Sequence, residues 1–253
     1  QWLPDRDNKN IMKMIHWAVS DKGNKRDSNQ DSYLVNESLG LFVVADGMGG
    51  HSGGEVASSM AVQTLEAEMK ALKGTNTPIR EKLHQAYEHA SVRIFDKAAT
   101  ESPELMGMGT TMVSCYLDQG RIYIANVGDS RCYLYHDAQL WQLTEDHSLL
   151  NEQIRTGLIR PENAQNFTGR NVITRSVGYE RMVHPDIIDR DIRPGETYLL
   201  CSDGLSSLVP DHKILEVFKS KPLHEAALAL IQLALSHGGD DNVTVLIVHF
   251  PNH

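Results

Sequence analysis

The chain is short of the signatures by which several function classes show themselves. No apolar run approaches the ~20 residues needed to span a bilayer, and residues 1–10 lack the apolar core of a secretory signal. Membrane insertion is therefore not expected, and 1–10 reads as a flexible or vector-derived N-terminus. Cysteine is scarce: Cys115, Cys132 and Cys201 are odd in number, set in apolar runs and without a C-x-x-C pair. That excludes a disulfide scaffold or a structural zinc site and fits a reducing, cytoplasmic setting. Positive charge is in deficit, with 24 Lys and Arg against 33 Asp and Glu for a net charge of −9. Sequence-independent binding to nucleic acid or anionic lipid is disfavoured, and an anionic substrate needs local help from a metal or from particular arginines. G-x-x-x-x-G-K-[ST] and H-E-x-x-H are both absent, which removes the phosphate loop and the zinc-protease helix.

What is present is an ordinary globular composition, 41% hydrophobic over 253 residues, with no repeat, linker or low-complexity segment. One domain over 1–253 is expected. Short β-rich runs predict strands over 11–20, 32–36 and 41–45. Three- to four-residue apolar spacing then predicts two antiparallel helices, one through Ala57, Ala61, Leu65, Met69 and Leu72. The other has Thr77 as cap and Pro78 at its first position, and runs from Ile79 to Ala98. Strands over 111–117, 121–126 and 131–135, with tight links at 118–120 and 128–129, read as an antiparallel meander. Residues 145–170 are polar and weakly patterned. Strands follow over 172–174, 187–191 and 197–202, then helices over 212–219 and 223–236 and a closing strand over 243–248. Strands and helices in blocks, without strict alternation, predict an α+β layered sandwich.

Three aspartates stand where apolar runs give out: Asp46 after Leu41–Ala45, Asp203 after Thr197–Ser202, and Asp241 before Val243–Val248. Carboxylates gathered at one edge of a core repel, and a hard divalent cation with oxygen-only ligands is the usual remedy. Five glycines lie between Gly47 and Gly54. They fit backbone that turns sharply or approaches something closely. Two readings of that loop stand side by side: Asp46 with an exposed glycine carbonyl as cation ligands, or a strand-to-helix turn with Asp46 as cap. Asp203-Gly204 and Asp240-Asp241-Asn242 taken singly are turn chemistry; the conjunction favours a site. Asp31 adds a fourth strand-edge carboxylate, and Arg26 a group able to grip phosphate.

In order along the chain stand Arg26-x-x-Asn29-Gln30-Asp31, Asp46-Gly-Met-Gly-Gly-His51, Gly109-Thr-Thr111, Asn126-Val-Gly-Asp-Ser-Arg131, Leu143-Thr-x-Asp146-His147-Ser148, Ile173-Thr-Arg-Ser-Val-Gly178, Ser202-Asp-Gly-Leu205 and Gly239-Asp-Asp-Asn242. This series resembles the metal-dependent Ser/Thr protein phosphatases of the PP2C (PPM) family, the bacterial branch in particular.

The resemblance implies a four-layer α-β-β-α sandwich, two central antiparallel sheets flanked by helix pairs. It implies two Mn²⁺ or Mg²⁺ ions in a cleft at one end, with Asp46 bridging both, the Gly47 carbonyl on one, and Asp203 and Asp241 on the other. Asp31 is similar to the residue that holds metal-bound water, and Asp129, with Asp203, to a ligand of a third metal. Residues 148–170 correspond to the flap beside the cleft. The implied activity is hydrolysis of phospho-Ser and phospho-Thr in proteins by a hydroxide bridging the two metals, with Arg26 holding the phosphoryl group. The partners are phosphorylated proteins, kinase substrates or the kinase itself. A monomeric cytoplasmic enzyme is expected. Eukaryotic members often carry His where this chain has Met48, so the proton donor stays open between His51, a metal-bound water and a purely structural His51. Arg131 is expected to brace the Asp129 turn by an ion pair, Thr110 and Thr111 to pack at a strand start, Arg175 to be structural, and most histidines, His147 included, to be surface or core polar residues. The alternatives are a catalytically weak relative that binds or scaffolds phosphoproteins and, more remotely, an acidic Ca²⁺ module, for which the EF-hand pattern is missing.

Overall fold

The computed structural model describes residues 13–252 apart from His51, Ser102 and Arg170. Strands β1 (Ile15–Asp21), β2 (Asp31–Asn36) and β3 (Leu41–Met48) lead into helices α1 (Gly53–Ala71) and α2 (Ile79–Thr100). After a 3-10 turn come β4 (Gly109–Thr110), β5 (Met112–Asp118), β6 (Arg121–Val127), β7 (Arg131–His136) and β8 (Gln139–Gln142). A short helix α3 (Leu149–Arg155) and a second 3-10 turn precede β9 (Asp186–Asp191) and β10 (Thr197–Cys201). Helices α4 (Asp203–Ser206), α5 (Asp211–Ser220) and α6 (Leu223–Ser236) then lead to β11 (Val243–His249).

The strands form two antiparallel sheets, ordered β1-β11-β10-β7-β8 and β2-β3-β5-β6-β9, with β4 added beside β3. Alternation along β3 shows how the layers arise, because successive side chains point to opposite faces. Leu41, Val43 and Ala45 pack on Ala57, Ala61 and Leu65 of α1 and on Leu83, Ala86 and Tyr87 of α2. Phe42 and Val44 face the other way, into a core between the sheets shared with Cys115, Cys132, Leu200 and Leu246. On the far side, Leu199, Val245 and Ile247 pack on Ile214 and Phe218 of α5 and Leu230 and Ile231 of α6. Three apolar layers separate four structural ones, the sandwich expected. Each fully buried Leu, Val or Phe in them contributes roughly 1.5–3 kcal/mol.

Several expectations need correction. The predicted meander over 111–135 is two pieces: β5 pairs with β6, β6 with β9, and β7 with β10 in the other sheet. At Gly128 (φ 102°) the chain crosses between sheets, so the tight link is a passage between layers rather than a hairpin. The expected strand over 172–174 is only a bridge between Ser148 and Ile173. Thr77 does not cap α2; Pro78, with ψ 144°, is the residue before its first turn. The first expected strand begins at Ile15; residues 11 and 12 lie outside the described set, as does the 1–10 terminus. The polar segment 148–170 holds α3, whose Ser148 side chain accepts from the Asn151 N–H. Among the described residues no helix is long and apolar enough to cross a membrane.

Candidate metal centre

Asp46 is not a helix cap. It lies inside β3, directly opposite Asp31 on β2. Like charges facing across an antiparallel pair are destabilising. The β3 backbone around Asp46 is held by three bonds: Thr111 N–H (2.9 Å) and Thr110 Oγ1 (2.8 Å) donate to its carbonyl, and its own N–H donates to Thr111 Oγ1 (3.0 Å). The two threonines therefore hold Asp46 as well as pack near it.

The second sheet brings the other two aspartates to the same end. Asp203 opens α4 directly after β10, and Asp241 precedes β11, which pairs with β10. Both Asp-Gly pairs owe their glycine to close approach. A Cβ at Gly47 would come 2.0 Å from the Gly54 carbonyl oxygen, and one at Gly204 2.0 Å from that of Asn242. Asn242 also ties the loop bearing Arg26 to this edge: its Nδ2 donates to the carbonyls of Lys22 (2.9 Å) and Ser28 (2.8 Å), and its Oδ1 accepts from the Gln30 N–H (2.8 Å). Arg26 Nη2 reaches Asp241 Oδ2 at 2.7 Å.

The result is a cleft of about 290 Å³ lined by Arg26, Asp46, Gly47, Met48, Asp129, Asp203 and Asp241 among others. Asp31 lies beneath it, and its Oδ2 accepts from Ser202 Oγ (2.8 Å) and Thr244 Oγ1 (2.6 Å). Asp129 and Asp203 also line an adjoining recess of about 130 Å³ that reaches Arg131 and Asp146. A larger concavity, about 550 Å³, opens on the other side of Met48 and Ile173 and carries none of the cleft aspartates. The cleft is the chemically relevant one, since it brings Asp46, Asp129, Asp203 and Asp241 together with Arg26.

Sharing this edge perturbs the carboxyls. Burial, then the charges of Asp31, Asp203 and Asp241, hold the Asp46 carboxyl well above the usual carboxylate range. Burial and Asp241 raise Asp203 in turn. Burial pushes Asp31 up to about 6, against the opposing bonds from Thr244 and Ser202. Burial, Asp203 and Asp146 push Asp129 to about 7. Two carboxylate oxygens, Asp31 Oδ1 and Asp203 Oδ1, are shielded from solvent with no hydrogen-bond partner among the described residues. Such orphaned acceptors are costly in a buried setting. A donor set of carboxylate oxygens with unspent lone pairs and mutually raised pKa values suits a hard divalent cation.

Of the other sequence-marked residues, Arg131 pairs with Asp146 (2.6 Å) rather than with Asp129. Arg175 pairs with Asp186 (2.9 Å) and borders the larger concavity, away from the aspartates. His147 is buried, its Nδ1 accepting from the Gly128 N–H (3.1 Å) and its Nε2 within 3.0 Å of Asp186. His51 lies outside the described residues. The roles of Ser202 and Thr244 as supports for Asp31 had no signal in the sequence, because the three residues come from distant segments of the chain.

A four-layer sandwich with an acid-lined cleft at one end of its paired sheets is the frame of a metal-dependent hydrolase. The model of the protein phosphatase 2C family matches residues 23–234. Over 235 residues the chain is 42% identical to the serine/threonine phosphatase stp of Listeria monocytogenes, covering 90% of this chain and 93% of that one. It is 39% identical over 231 residues to the protein phosphatase PstP of Mycobacterium tuberculosis, covering 91% of this chain and 44% of PstP. A crystal structure of M. tuberculosis PstP superposes with a TM-score of 0.87 at 36% identity, covering 94% of this chain and 99% of that one. Another, of the PstP catalytic domain with two manganese ions, gives 0.84 at the same identity. The chain belongs to the protein phosphatase 2C family, and its relatives place it in the bacterial branch; it is a protein phosphatase, hence a hydrolase.

The raised carboxyls set a pH dependence. For Asp31 and Asp129 the folded pKa, about 6 and about 7, exceeds the ordinary 3.8. The folded state therefore holds more protons than the unfolded one between pH ~4 and ~7, and the metal-free protein loses stability as pH rises through that window. A shift of two units is worth about 3 kcal/mol. Thermal melts with EDTA and with Mn²⁺ at pH 5.5 and 7.5 are expected to show the larger Mn²⁺-induced gain at pH 7.5. An equal or smaller gain there would mean that the carboxyls do not bear this load.

Proposed function

We propose that this member is a metal-dependent phosphatase of phospho-Ser and phospho-Thr in proteins, acting in the cytoplasm against Ser/Thr kinase substrates or the kinase itself. The observation that carries the reading is the convergence of Asp31, Asp46, Asp203 and Asp241, two of them with orphaned oxygens, beside a cleft-facing arginine. The relatives named as serine/threonine phosphatases support the substrate class, and the two manganese ions of the PstP domain support the cofactor.

In this reading Asp46, the Gly47 carbonyl, Asp203 and Asp241 would hold two Mn²⁺ or Mg²⁺ ions, Asp31 would hold metal-bound water, and Asp129 with Asp203 would take a third ion. Bound there, the cations supply the Lewis acidity that brings the pKa of water toward neutrality and offsets phosphoryl charge. The protein groups do the rest. Arg26 is half-exposed and spends one nitrogen on Asp241, which leaves further donors of its planar fork for phosphoryl oxygens. The hydroxyls of Ser202 and Thr244 fix one oxygen of Asp31 and leave the other without a hydrogen-bond partner, free to hold a water that a bound cation would supply. Met48 carries no proton at the cleft wall, and no histidine among the described residues lines the cleft. The leaving alkoxide needs a proton, for which His51, outside the described residues, and cleft water are the two candidate sources. Residues 148–170 act as a flap, their entry fixed by Leu149 N–H to the Val172 carbonyl (2.8 Å), and bear on which phosphoprotein docks. The complete acidic set speaks against a scaffolding relative without activity.

Hydrolysis of p-nitrophenyl phosphate and of a phosphothreonine peptide, measured with Mn²⁺ and again with excess EDTA, tests the reading. Turnover of both substrates that disappears on chelation is expected. Activity surviving chelation would overturn the metal mechanism, and folded protein inert with Mn²⁺ would favour a phosphoprotein-binding module.

A further inference from the structure

Helix α2 carries His84 and Glu88 one turn apart, so both project from the same face. The loop entering β9 brings His184 against them. One nitrogen of each histidine and a carboxylate oxygen of Glu88 lie within 4.8 Å of one another. His84 Nε2 and His184 Nδ1 are 3.1 Å apart, with ring centroids at 5.2 Å and planes at 36°. Two imidazole nitrogens bound to one tetrahedral Zn²⁺ at ~2.05 Å would stand about 3.3 Å apart. The observed separation thus needs only a small opening.

A histidine pair sharing one hydrogen bond accounts for two of the three groups, and the third, Glu88, has only a 3.6 Å contact, longer than a hydrogen bond. Glu88 makes no ion pair with Lys or Arg among the described residues; its Oε2 lies 3.6 Å from His84 Nδ1, the ring nitrogen that does not face His184. The backbone that delivers the three side chains is also held in advance. Val183 and Pro185, on either side of His184, are buried. Ser91 of α2 donates to the Glu180 carbonyl (2.7 Å) and accepts from the Gly178 N–H (2.9 Å). Arg80, one turn before His84, donates to the Ile187 carbonyl (2.7 Å) and to Asp189 Oδ1 (2.7 Å). The segment 178–189 is therefore pinned to α2 on both sides of His184, which limits the ordering cost of closing three ligands on an ion.

The geometry points to a surface site at His84, Glu88 and His184 for one divalent transition metal ion of the Zn²⁺, Ni²⁺ or Cu²⁺ class, separate from the carboxylate cleft. Two imidazoles and one carboxylate suit these borderline metals, with water completing the shell, whereas the oxygen-only cleft suits Mn²⁺ and Mg²⁺. Binding would fasten the β9 entry loop to α2. That loop borders the larger concavity beside Met48, since His184, Val183 and Met182 line one end of it. The site stands on its own residues, whether or not the cleft works as proposed above.

The test uses the full chain and Zn²⁺ or Cu²⁺ as the probe. Zn²⁺ titration against a chromophoric chelator, with Mn²⁺ saturating the cleft, is expected to show one more equivalent bound by the parent than by His184→Ala. His84→Ala and Glu88→Gln should weaken that equivalent by at least about 100-fold, beyond the 10–100-fold cost of losing an outer-shell partner. The Cu²⁺ electron paramagnetic resonance spectrum should carry coupling to two nitrogens in the parent and one in His184→Ala, a signature that oxygen ligands cannot produce. Equal Zn²⁺ stoichiometry in parent and His184→Ala, or a Cu²⁺ spectrum without nitrogen coupling, overturns the site. His184 is exposed, so its removal leaves the fold intact and the comparison clean.

Discussion

Asp46→Asn is expected to abolish hydrolysis while making the metal-free protein more stable, a pairing of effects that few substitutions can produce. The loss of activity follows from position: Asp46 faces Asp31 across β2 and β3, and lines the cleft with Asp203 and Asp241. Removing its charge takes away the carboxylate that both cations would share. If that forfeits several kcal/mol of charge stabilisation, kcat should fall by ~10³ or more, since each 1.36 kcal/mol is a factor of ten. The gain in stability follows from the same crowding. Burial and three neighbouring carboxylates oppose ionisation of Asp46, whereas an amide of nearly the same shape adds no charge at any pH. A gain of about 1–3 kcal/mol in EDTA corresponds to roughly 2–12 °C in Tm for a domain of this size. Phosphopeptide turnover with Mn²⁺ and melting in EDTA read the two halves separately. Turnover within tenfold of the parent would remove Asp46 from the centre, and a lower metal-free Tm would show that the carboxylates do not repel as described.

The site was more legible in the sequence than the topology was. Asp46, Asp203 and Asp241 each stand beside an apolar run, and ends of strands in stacked sheets meet at an edge, so local pattern carried information about a non-local cluster. Periodicity says which face of a strand is buried, but not which sheet the strand joins. Arg131–His136 looks like the partner of Arg121–Val127 across a tight Gly-Asp link. Only the pairing of β7 with β10 reveals that Gly128 crosses between layers. Asp46 was likewise placed just beyond its strand. Gly47 and Met48 read as loop residues, yet they pair with Thr110 and Gly109 and carry β3 on past the aspartate. The supports of Asp31 were hidden for a different reason. Ser202 and Thr244 come from chain segments 171 and 213 residues away from it, and a hydroxyl in a strand looks the same in sequence whether or not it props a carboxylate. His84, Glu88 and His184 were passed over because no fixed spacing joins a helix pair to a loop about 100 residues on.

Arg131→Met is expected to give the largest loss of stability of any single change near the cleft, about 3–5 kcal/mol. The guanidinium is 22% exposed and Asp146 16%, so the pair is largely withdrawn from water, where breaking one partner costs far more than at the surface. Arg131 donates from Nε to Asp146 Oδ1 (2.8 Å) and from Nη2 to Oδ2 (2.6 Å), while Nη1 donates to the Tyr133 hydroxyl (2.8 Å), which in turn donates to Asp211 (3.0 Å). Methionine fills much of the same volume but leaves Asp146 facing Asp129 with no cation between β7 and the cleft. Asp129 is already raised by burial and by Asp203 and Asp146, and Arg131 is the charge that works against that rise. Without it, ionising Asp129 and Asp146 together becomes harder, so the deficit should grow as pH climbs from 5.5 to 7.5. At roughly 2–4 °C per kcal/mol, Tm should fall by about 6–20 °C. The double variant Arg131→Met with Asp146→Leu separates a lost ion pair from a packing fault: replacing both partners by apolar groups removes the stranded charge and should recover most of the loss. A single variant costing less than about 1 kcal/mol would show that the pair is no better than a surface contact. A double variant as unstable as the single one would shift the cause from the uncompensated carboxylate to the packing around Tyr133.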